Sequence, residues 1–302
     1  MDAPPPPSHH WHSVRRRLLL WGIVAGYTVA LCDVVLVYNV LVARFSRTAA
    51  TRVPQAMFFV FGAAYILLGF RLKRGLRSLA FFLPAALLTG LIVFIEPNPN
   101  KHIHVPEYVL MAWLVYAALA VDYRGRGLAA LVLACAAMLG VVDELLQGLH
   151  PQRFYGLWDM GINALAGLIG VLTVLGLTTP PPGDWSWIRS LPRFRIEIAA
   201  LIFGAVSALW ICLYLTEVAA GGPFRIVYPP WMLALNILFL ATAAAQLGIS
   251  RGKGPMLHGT RGDPTPPVDG RTAVLWLRVL LILVMVIHAA AVWAAFAGRE
   301  FR

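Results

Sequence analysis

The feature that most constrains this fold is a series of apolar runs, each long enough to cross a lipid bilayer. A helical span needs about 20 mostly apolar residues. Hydrophobic residues make up 59% of the 302 residues and charged residues only 13%, about half the charged fraction of an ordinary soluble protein. Nine runs fit, at approximately 18–43, 54–70, 79–96, 105–121, 128–149, 160–177, 198–215, 231–249 and 273–296.

These runs predict an all-α, polytopic transmembrane helical bundle of about nine spans. Backbone groups exposed to lipid must be satisfied within the protein, and the alternating pattern of a β-barrel is not visible in the sequence. Cys32, Cys135 and Cys212 lie inside apolar runs without CxxC spacing. We therefore expect them to be buried small hydrophobes rather than disulfide or metal ligands.

Basic residues in alternate loops predict the orientation. One set of loops holds sixteen Lys and Arg residues and the other set holds eight. Because the basic excess lies on the cytoplasmic side, we expect a cytoplasmic N-terminus and outward-facing loops at 97–104 and 150–159. The formal net charge of +11 is dispersed among these loops, which argues against a nucleic-acid partner. The expected location is the inner (plasma) membrane, as a multi-pass protein.

Composition also divides the chain into five segments. We predict, in order, a disordered basic cytoplasmic tail, two N-terminal transmembrane helices, a four-helix membrane domain, a cytoplasmic linker with a Trp anchor, and three C-terminal transmembrane helices. Their expected ranges are 1–17, 18–78, 79–177, 178–197 and 198–302.

Polar side chains are concentrated at the predicted outer ends of spans three to six. Ionisable groups near hydrocarbon are costly and usually mark a functional site. Asp143, Gln147 and His150 have the i, i+4, i+7 spacing of one helix face, while Asp159 and Asn163 are four residues apart. The candidate catalytic residues are His104, Glu107, Asp143 and Glu144. The candidate ligand-binding residues are Lys101, Tyr108, Gln147, His150, Arg153, Asp159 and Asn163.

The chemistry of these residue types suggests roles. Paired carboxylates in different surroundings can divide acid and base functions, with His104 as a second proton carrier. Arg153 and Lys101 suit a phosphate or carboxylate. A metal site built from His104, Glu107, Glu144 and Asp159 is a weaker alternative, because its spacing matches no standard motif. No metal is predicted.

A purely structural role is the competing interpretation. Short polar side chains favour the helix N-cap position, so Asp159 would cap the sixth span. Arg153 and Lys101 would then neutralise nearby carboxylates, while Gln147 and Asn163 would bond neighbouring helices. In either case, Gly167 and Gly170 would let a neighbouring helix approach closely.

The order of these motifs resembles the VanZ-like family, named for a teicoplanin-resistance protein. The resemblance covers residues 79–177, although Gln152 stands where members commonly have Gly. It implies a cell-envelope membrane domain and carries no defined reaction. The matching elements are His-x-x-Glu-Tyr at 104–108, Asp-Glu-x-x-Gln at 143–147, Pro-x-Arg at 151–153, Asp-x-x-x-Asn-x-x-x-Gly at 159–167, and the preceding Lys101.

Together these observations predict an integral membrane protein of the cell envelope that binds or processes a lipid-linked or cell-wall-related ligand. The alternatives are a non-catalytic accessory subunit of a membrane complex and a transporter that uses the acidic pair. The expected partners are the lipid bilayer, a lipid-linked or glycopeptide-related ligand and a membrane protein docked on the C-terminal helices. The sequence identifies no cofactor.

Overall fold

The computed structural model describes residues 8–123, 127–179, 185–252 and 270–302. These residues contain ten α-helices and no β-strand, so the prediction of an all-α bundle is confirmed. Two 3₁₀ helices, Lys101–Ile103 and Ser186–Phe194, lie between them. The helices are α1 Ser8–Leu31, α2 Val34–Arg44, α3 Arg47–Arg71, α4 Gly75–Ile95, α5 His104–Leu119, α6 Leu128–Gln147, α7 Leu157–Leu177, α8 Arg195–Ala219, α9 Pro230–Gly252 and α10 Gly270–Phe296.

Seven of the described helices are long and apolar enough to cross a membrane. The number becomes eight if α1 and α2, which meet at a 52° bend, form one broken span. The predicted nine is not reached because α5 has only 16 residues, which extend about 24 Å at 1.5 Å per residue. A span needs about 30 Å. The helices therefore have the length and composition of a multi-pass membrane protein, with α5 as a shorter, buried helix.

Two helices begin earlier in the sequence than predicted. Helix α1 starts at Ser8, inside the segment predicted to be a disordered tail; residues 1–7 of that segment lie outside the described residues. Helix α3 starts at Arg47 rather than at 54, because the Ser46 hydroxyl accepts the Ala49 N–H at 3.0 Å and caps the helix. Pro54 is accommodated inside α3.

The linker predicted at 178–197 is partly helical. Residues 180–184 lie outside the described residues, while the remainder includes the 3₁₀ helix 186–194 and the start of α8. Trp185, part of the predicted Trp anchor, is 43% exposed. Trp187 differs, because it is buried and its ring lies 5.0 Å from that of Trp276 in α10.

The helices group into two compact units whose boundary crosses α6 and α7. One unit comprises the described residues of Met1–Ala137 and Gly161–Gly183, and the other those of Met138–Met160 and Asp184–Arg302. This differs from the predicted boundary at the linker. The end of α6 and the start of α7 belong with the three C-terminal helices because they share one hydrophobic core. That core includes Leu145, Tyr155, Ile211, Leu215, Ile287 and Phe301.

Helix α7 packs closely on its neighbours in the first unit, as the spacing of its glycines predicted. A Cβ added at Gly170 would lie 2.6 Å from the Ala112 Cβ and 2.9 Å from the Val109 carbonyl oxygen, both in α5. A Cβ added at Gly167 would lie 3.2 Å from the Ala136 Cβ of α6. The backbone of α5 thus occupies the space into which a side chain at position 170 would project, and such a side chain would separate the two helices.

We predict that Gly170→Ala destabilises the protein by about 1–3 kcal/mol, since the added methyl overpacks against α5. Gly161→Ala, in the same helix, is the matched control because nothing lies within 4 Å of a Cβ there. Replacing this helical glycine should stabilise by about 0.5–1 kcal/mol. Thermal unfolding in detergent measures both changes, and equal melting temperatures for the two variants would contradict the close packing.

Candidate functional site

The predicted polar residues of the second unit surround the connection between α6 and α7. This connection, residues 148–156, is held in place by contacts along its length. The buried Tyr155 hydroxyl donates to the Cys212 carbonyl oxygen in α8 at 2.8 Å, and burial raises the pKa of Tyr155 well above its usual value. The Tyr155 N–H donates to the Arg302 carbonyl oxygen at 2.6 Å. The side chains carried by the connection therefore start from a fixed backbone.

Three polar side chains form a continuous hydrogen-bonded chain at the end of α6. The Gln147 amide Nε2 donates to the Asp143 Oδ2 at 2.8 Å, one helical turn away. The Arg153 guanidinium donates to the Gln147 Oε1 from Nε at 2.9 Å and also from Nη2. The helix spacing predicted the first contact. The second contact joins the guanidinium to an amide oxygen, and Arg153 also lies close enough to the Glu144 carboxyl group to interact with it electrostatically.

Glu144 is fully buried beside this chain. Its Oε2 accepts the Gly156 backbone N–H at 3.2 Å, so the connection supplies a partner to the carboxyl group. Asp143, Asp159 and Arg153 all lie close enough to interact with it electrostatically. Four of the predicted site residues thus form one charged cluster within this unit.

Asp159 takes a different position from the N-cap of the structural interpretation. Helix α7 begins at Leu157, which places Asp159 in the first helical turn. Its carboxylate folds back over Gly156, where an added Cβ would lie 2.8 Å from Oδ2. Asp159 is buried, and a carboxylate in this turn interacts favourably with the helix dipole.

His150 contacts the backbone of the turn that follows α6. Its Nδ1 accepts the Gln152 backbone N–H at 3.2 Å, which orders the turn after α6. The ring is half-buried. His150 follows Asp143 by seven residues and lies just beyond the end of α6, where the predicted helix face ends.

The remaining predicted site residues lie in the first unit. His104 and Glu107 face each other in the first turn of α5, with Nδ1 and Oε2 3.5 Å apart, and both are buried. The Tyr27 hydroxyl of α1 donates to the Glu107 carbonyl oxygen at 3.0 Å. Tyr108 and Asn163 are fully buried, whereas Lys101 is half-buried in the 3₁₀ helix before α5.

His102 is a first-unit histidine outside the predicted site. Its Nε2 donates to the Glu96 carbonyl oxygen at 2.9 Å, and the Glu96 Oε1 accepts the Asn98 N–H at 2.9 Å. These contacts tie the end of α4 to the turn before α5. His102 is thus a structural residue of this loop.

The most important contact that sequence reasoning missed involves residues Phe301 and Arg302. Phe301 pairs with Phe224 through two backbone hydrogen bonds, of 2.7 and 3.0 Å, and its ring is fully buried. The Arg302 N–H donates to the Gly148 carbonyl oxygen at 2.8 Å, and its Nη1 donates to the Pro151 carbonyl oxygen at 2.9 Å. Apart from the aromatic residue itself, no sequence pattern pointed to this pairing.

Phe301 and Arg302 therefore brace both ends of the connection that carries Arg153. Chemically, the cluster offers one cationic donor, three carboxylates and an amide, which can bind an acidic group or exchange protons. No protein-family model, curated protein or solved structure matches the chain.

We predict that Gly148→Ala loosens this connection, because the added Cβ would overlap the Phe301 ring. Gly248→Ala is the control, since nothing lies within 4 Å of a Cβ at that position of α9. Hydrogen–deuterium exchange should rise in residues 148–156 of the first variant and stay at the wild-type level in the second. Unchanged exchange in both variants would show that Phe301 does not brace the connection.

Proposed function

We propose that the α6–α7 connection binds the acidic group of a lipid-linked or cell-wall-related molecule, with Arg153 as the main binding residue. The supporting observation is the unused hydrogen-bonding capacity of the guanidinium. Arg153 is half-buried, and its hydrogen bonds to other described residues come from Nε and Nη2 and go to one amide oxygen. Arginine has five N–H donors in a planar fork suited to phosphate and carboxylate. Three of the five remain for a ligand.

A lipid-linked ligand is favoured by the neighbours of Arg153. Phe154 and Trp158, which precede and follow the buried Tyr155 in the sequence, are 70% and 57% exposed. Aromatic residues of this kind occur at the membrane–water interface, where one end of a side chain is apolar and the other is wet. An acidic head group at Arg153 would leave the ligand's hydrocarbon beside these two rings and the lipid.

The adjacent carboxylates supply the chemistry if the ligand is also processed. Asp143 accepts an amide N–H, whereas Glu144 accepts a backbone N–H and lies among the other charges. Different surroundings allow two carboxyl groups to divide acid and base roles. This proposal needs no cofactor, and the contacts of Arg153 support it independently of any catalysis.

The resemblance to the VanZ-like family supports a cell-envelope role at the plasma membrane. The motif residues Asp143, Glu144, Gln147 and Arg153 are the ones that interact in this cluster. By the distribution of basic residues, the connection belongs on the outer side, where a lipid-linked precursor of the envelope would present its head group.

A non-catalytic accessory subunit is the second candidate. It is favoured by the hydrogen-bonded chain itself, because Arg153, Gln147 and Asp143 satisfy one another across a helix end. In that case the cluster would stabilise the fold, and a partner protein would supply the chemistry. Stability and binding measurements on single variants distinguish the two candidates.

We predict that Arg153→Gln weakens binding of a polyprenyl phosphate by about 10–100-fold, as expected for loss of a charge-assisted hydrogen bond worth about 1.5–3 kcal/mol. Arg299→Gln, which removes an exposed arginine from the segment that follows α10, should bind as the wild type does. Binding is measured on protein in nanodiscs, with the uncharged polyprenol as the comparison ligand. Equal affinity for phosphate and alcohol would refute recognition of the acidic group.

We also predict that Glu144→Gln leaves the melting temperature within about one or two degrees of the wild type. The amide keeps an oxygen to accept the Gly156 N–H and removes a charge that Asp143 and Asp159 oppose. Processing of the ligand should be lost in this variant because an amide exchanges no proton at neutral pH. A loss of several degrees would favour the accessory-subunit candidate instead.

A further inference from the structure

A second buried polar cluster lies within the three C-terminal helices, apart from the residues used above. It consists of His288 in α10, Asn236 in α9, and Gly204 and Ser207 in α8. His288 is fully buried and Asn236 is 2% exposed. A Cβ added at Gly204 would lie 2.7 Å from a Val284 side-chain carbon. The absent side chain at Gly204 thus lets α8 bring its backbone to the histidine ring.

Asn236 fixes the protonation of one ring nitrogen. The Asn236 Nδ2 donates to the Met232 carbonyl oxygen at 2.7 Å, so its Oδ1 is the atom that faces His288. That oxygen lies 2.5 Å from the His288 Nδ1. Because an amide oxygen only accepts, Nδ1 must carry a hydrogen in every state that keeps this contact.

The other ring nitrogen has two alternative partners on α8. His288 Nε2 lies 2.9 Å from the Gly204 carbonyl oxygen and 3.2 Å from the Ser207 Oγ. The carbonyl can only accept, whereas the hydroxyl can donate or accept. The hydroxyl also lies 2.9 Å from the Phe203 carbonyl oxygen, so it has somewhere to donate when it does not donate to the ring.

The surroundings of the ring are otherwise apolar. Phe239 of α9 lies 4.4 Å from it between ring centroids. Within the described residues, the contacts of His288 are with Asn236, Gly204, Ser207 and Phe239, none of which carries a charge. Arg278 in α10 is ten positions earlier, about 15 Å along the helix. The ionisable groups of α8 nearest in sequence to Ser207 are Cys212 and Tyr214, and the nearest carboxyl groups are those of Glu197 and Glu217.

We infer that His288 is a reversible proton-binding site inside the α8–α10 bundle. In the neutral ring, Nδ1–H donates to Asn236 and the Ser207 hydroxyl donates to the Nε2 lone pair. When a proton is taken up from water, it becomes the Nε2–H and donates to the Gly204 carbonyl oxygen, and the Ser207 hydroxyl turns to the Phe203 carbonyl oxygen. The ring gains one proton and one positive charge, while both states retain hydrogen bonds to α8 and α9.

A merely structural histidine would not need this arrangement. In the neutral ring the Gly204 carbonyl oxygen faces the Nε2 lone pair at 2.9 Å, and uptake of a proton at Nε2 turns this contact into a hydrogen bond. The 2.9 Å separation is the length of an ordinary N–H···O bond. The site therefore has prepared partners for the second proton, which makes α8–α10 responsive to pH independently of the ligand site at α6–α7.

Nitrogen-15 NMR of histidine-labelled protein in nanodiscs tests this inference. His288→Asn identifies the signal by its disappearance, and Ser207→Ala identifies it by a shift if the first variant does not fold. At pH 8 we expect a neutral ring with its proton on Nδ1, and on acidification to pH 5 a second proton on Nε2. A ring that holds one proton, or two, throughout this range would overturn the inference, as would a neutral ring protonated on Nε2.

The Ser207→Ala variant also tests the proposed exchange of partners. Loss of the hydroxyl removes a hydrogen bond made only to the neutral ring, so protonation should begin at a pH higher by about half a unit to one unit. Thr242→Val is the control, because its hydroxyl bonds only its own helix, at the Leu238 and Phe239 carbonyl oxygens. An unchanged midpoint in Ser207→Ala would refute the role assigned to Ser207.

Discussion

The constraint on which this structure depends is the cost of keeping polar groups away from water. A buried charge or hydrogen-bonding group must find a partner inside the protein. The buried Glu144 accepts the Gly156 N–H, and Asp143 accepts an N–H of the Gln147 amide, whose oxygen in turn accepts from Arg153. Each partner comes from the α6–α7 connection or the helix end beside it. The hydrogen bonds of the polar residues thus fix the path of the connection, and the connection in turn positions these residues.

The same constraint explains why the connection is braced by remote segments. Its backbone carbonyl groups at Gly148 and Pro151 are satisfied by Arg302, and Tyr155 is satisfied by α8. A loop fixed in this way keeps Arg153 in one position before a ligand arrives, so less conformational entropy is lost on binding. The three C-terminal helices therefore contribute to the proposed site by supporting its backbone.

Much of the helical architecture was predictable because apolar runs and i, i+4 spacing are local properties. The Asp143–Gln147 contact and the close approach at Gly170 follow from them. The start of α7 was misjudged, because Asp159 suits both an N-cap and a first turn. The pairing of Phe301 with Phe224 could not be predicted, since it joins segments far apart in sequence through backbone atoms that any residue possesses. The unit boundary differs from the one expected at the linker because segments far apart in sequence share one hydrophobic core.

The two polar clusters differ in a way that follows from position along a helix. Glu144 and Asp143 lie near the last residue of α6, and Arg153 follows it, so the buried carboxyl groups obtain hydrogen-bond partners from the helix end and the connection. His288, Asn236 and Gly204 lie well inside their helices, where permanent charges are most expensive. Within the described residues, the oxygens that contact the His288 ring are neutral, and the ring acquires its single charge by reversible uptake of a proton. Ionisable groups beside an arginine at the helix end suit recognition of an ionic group, whereas a neutral, hydrogen-bonded histidine in the interior suits exchange of one proton.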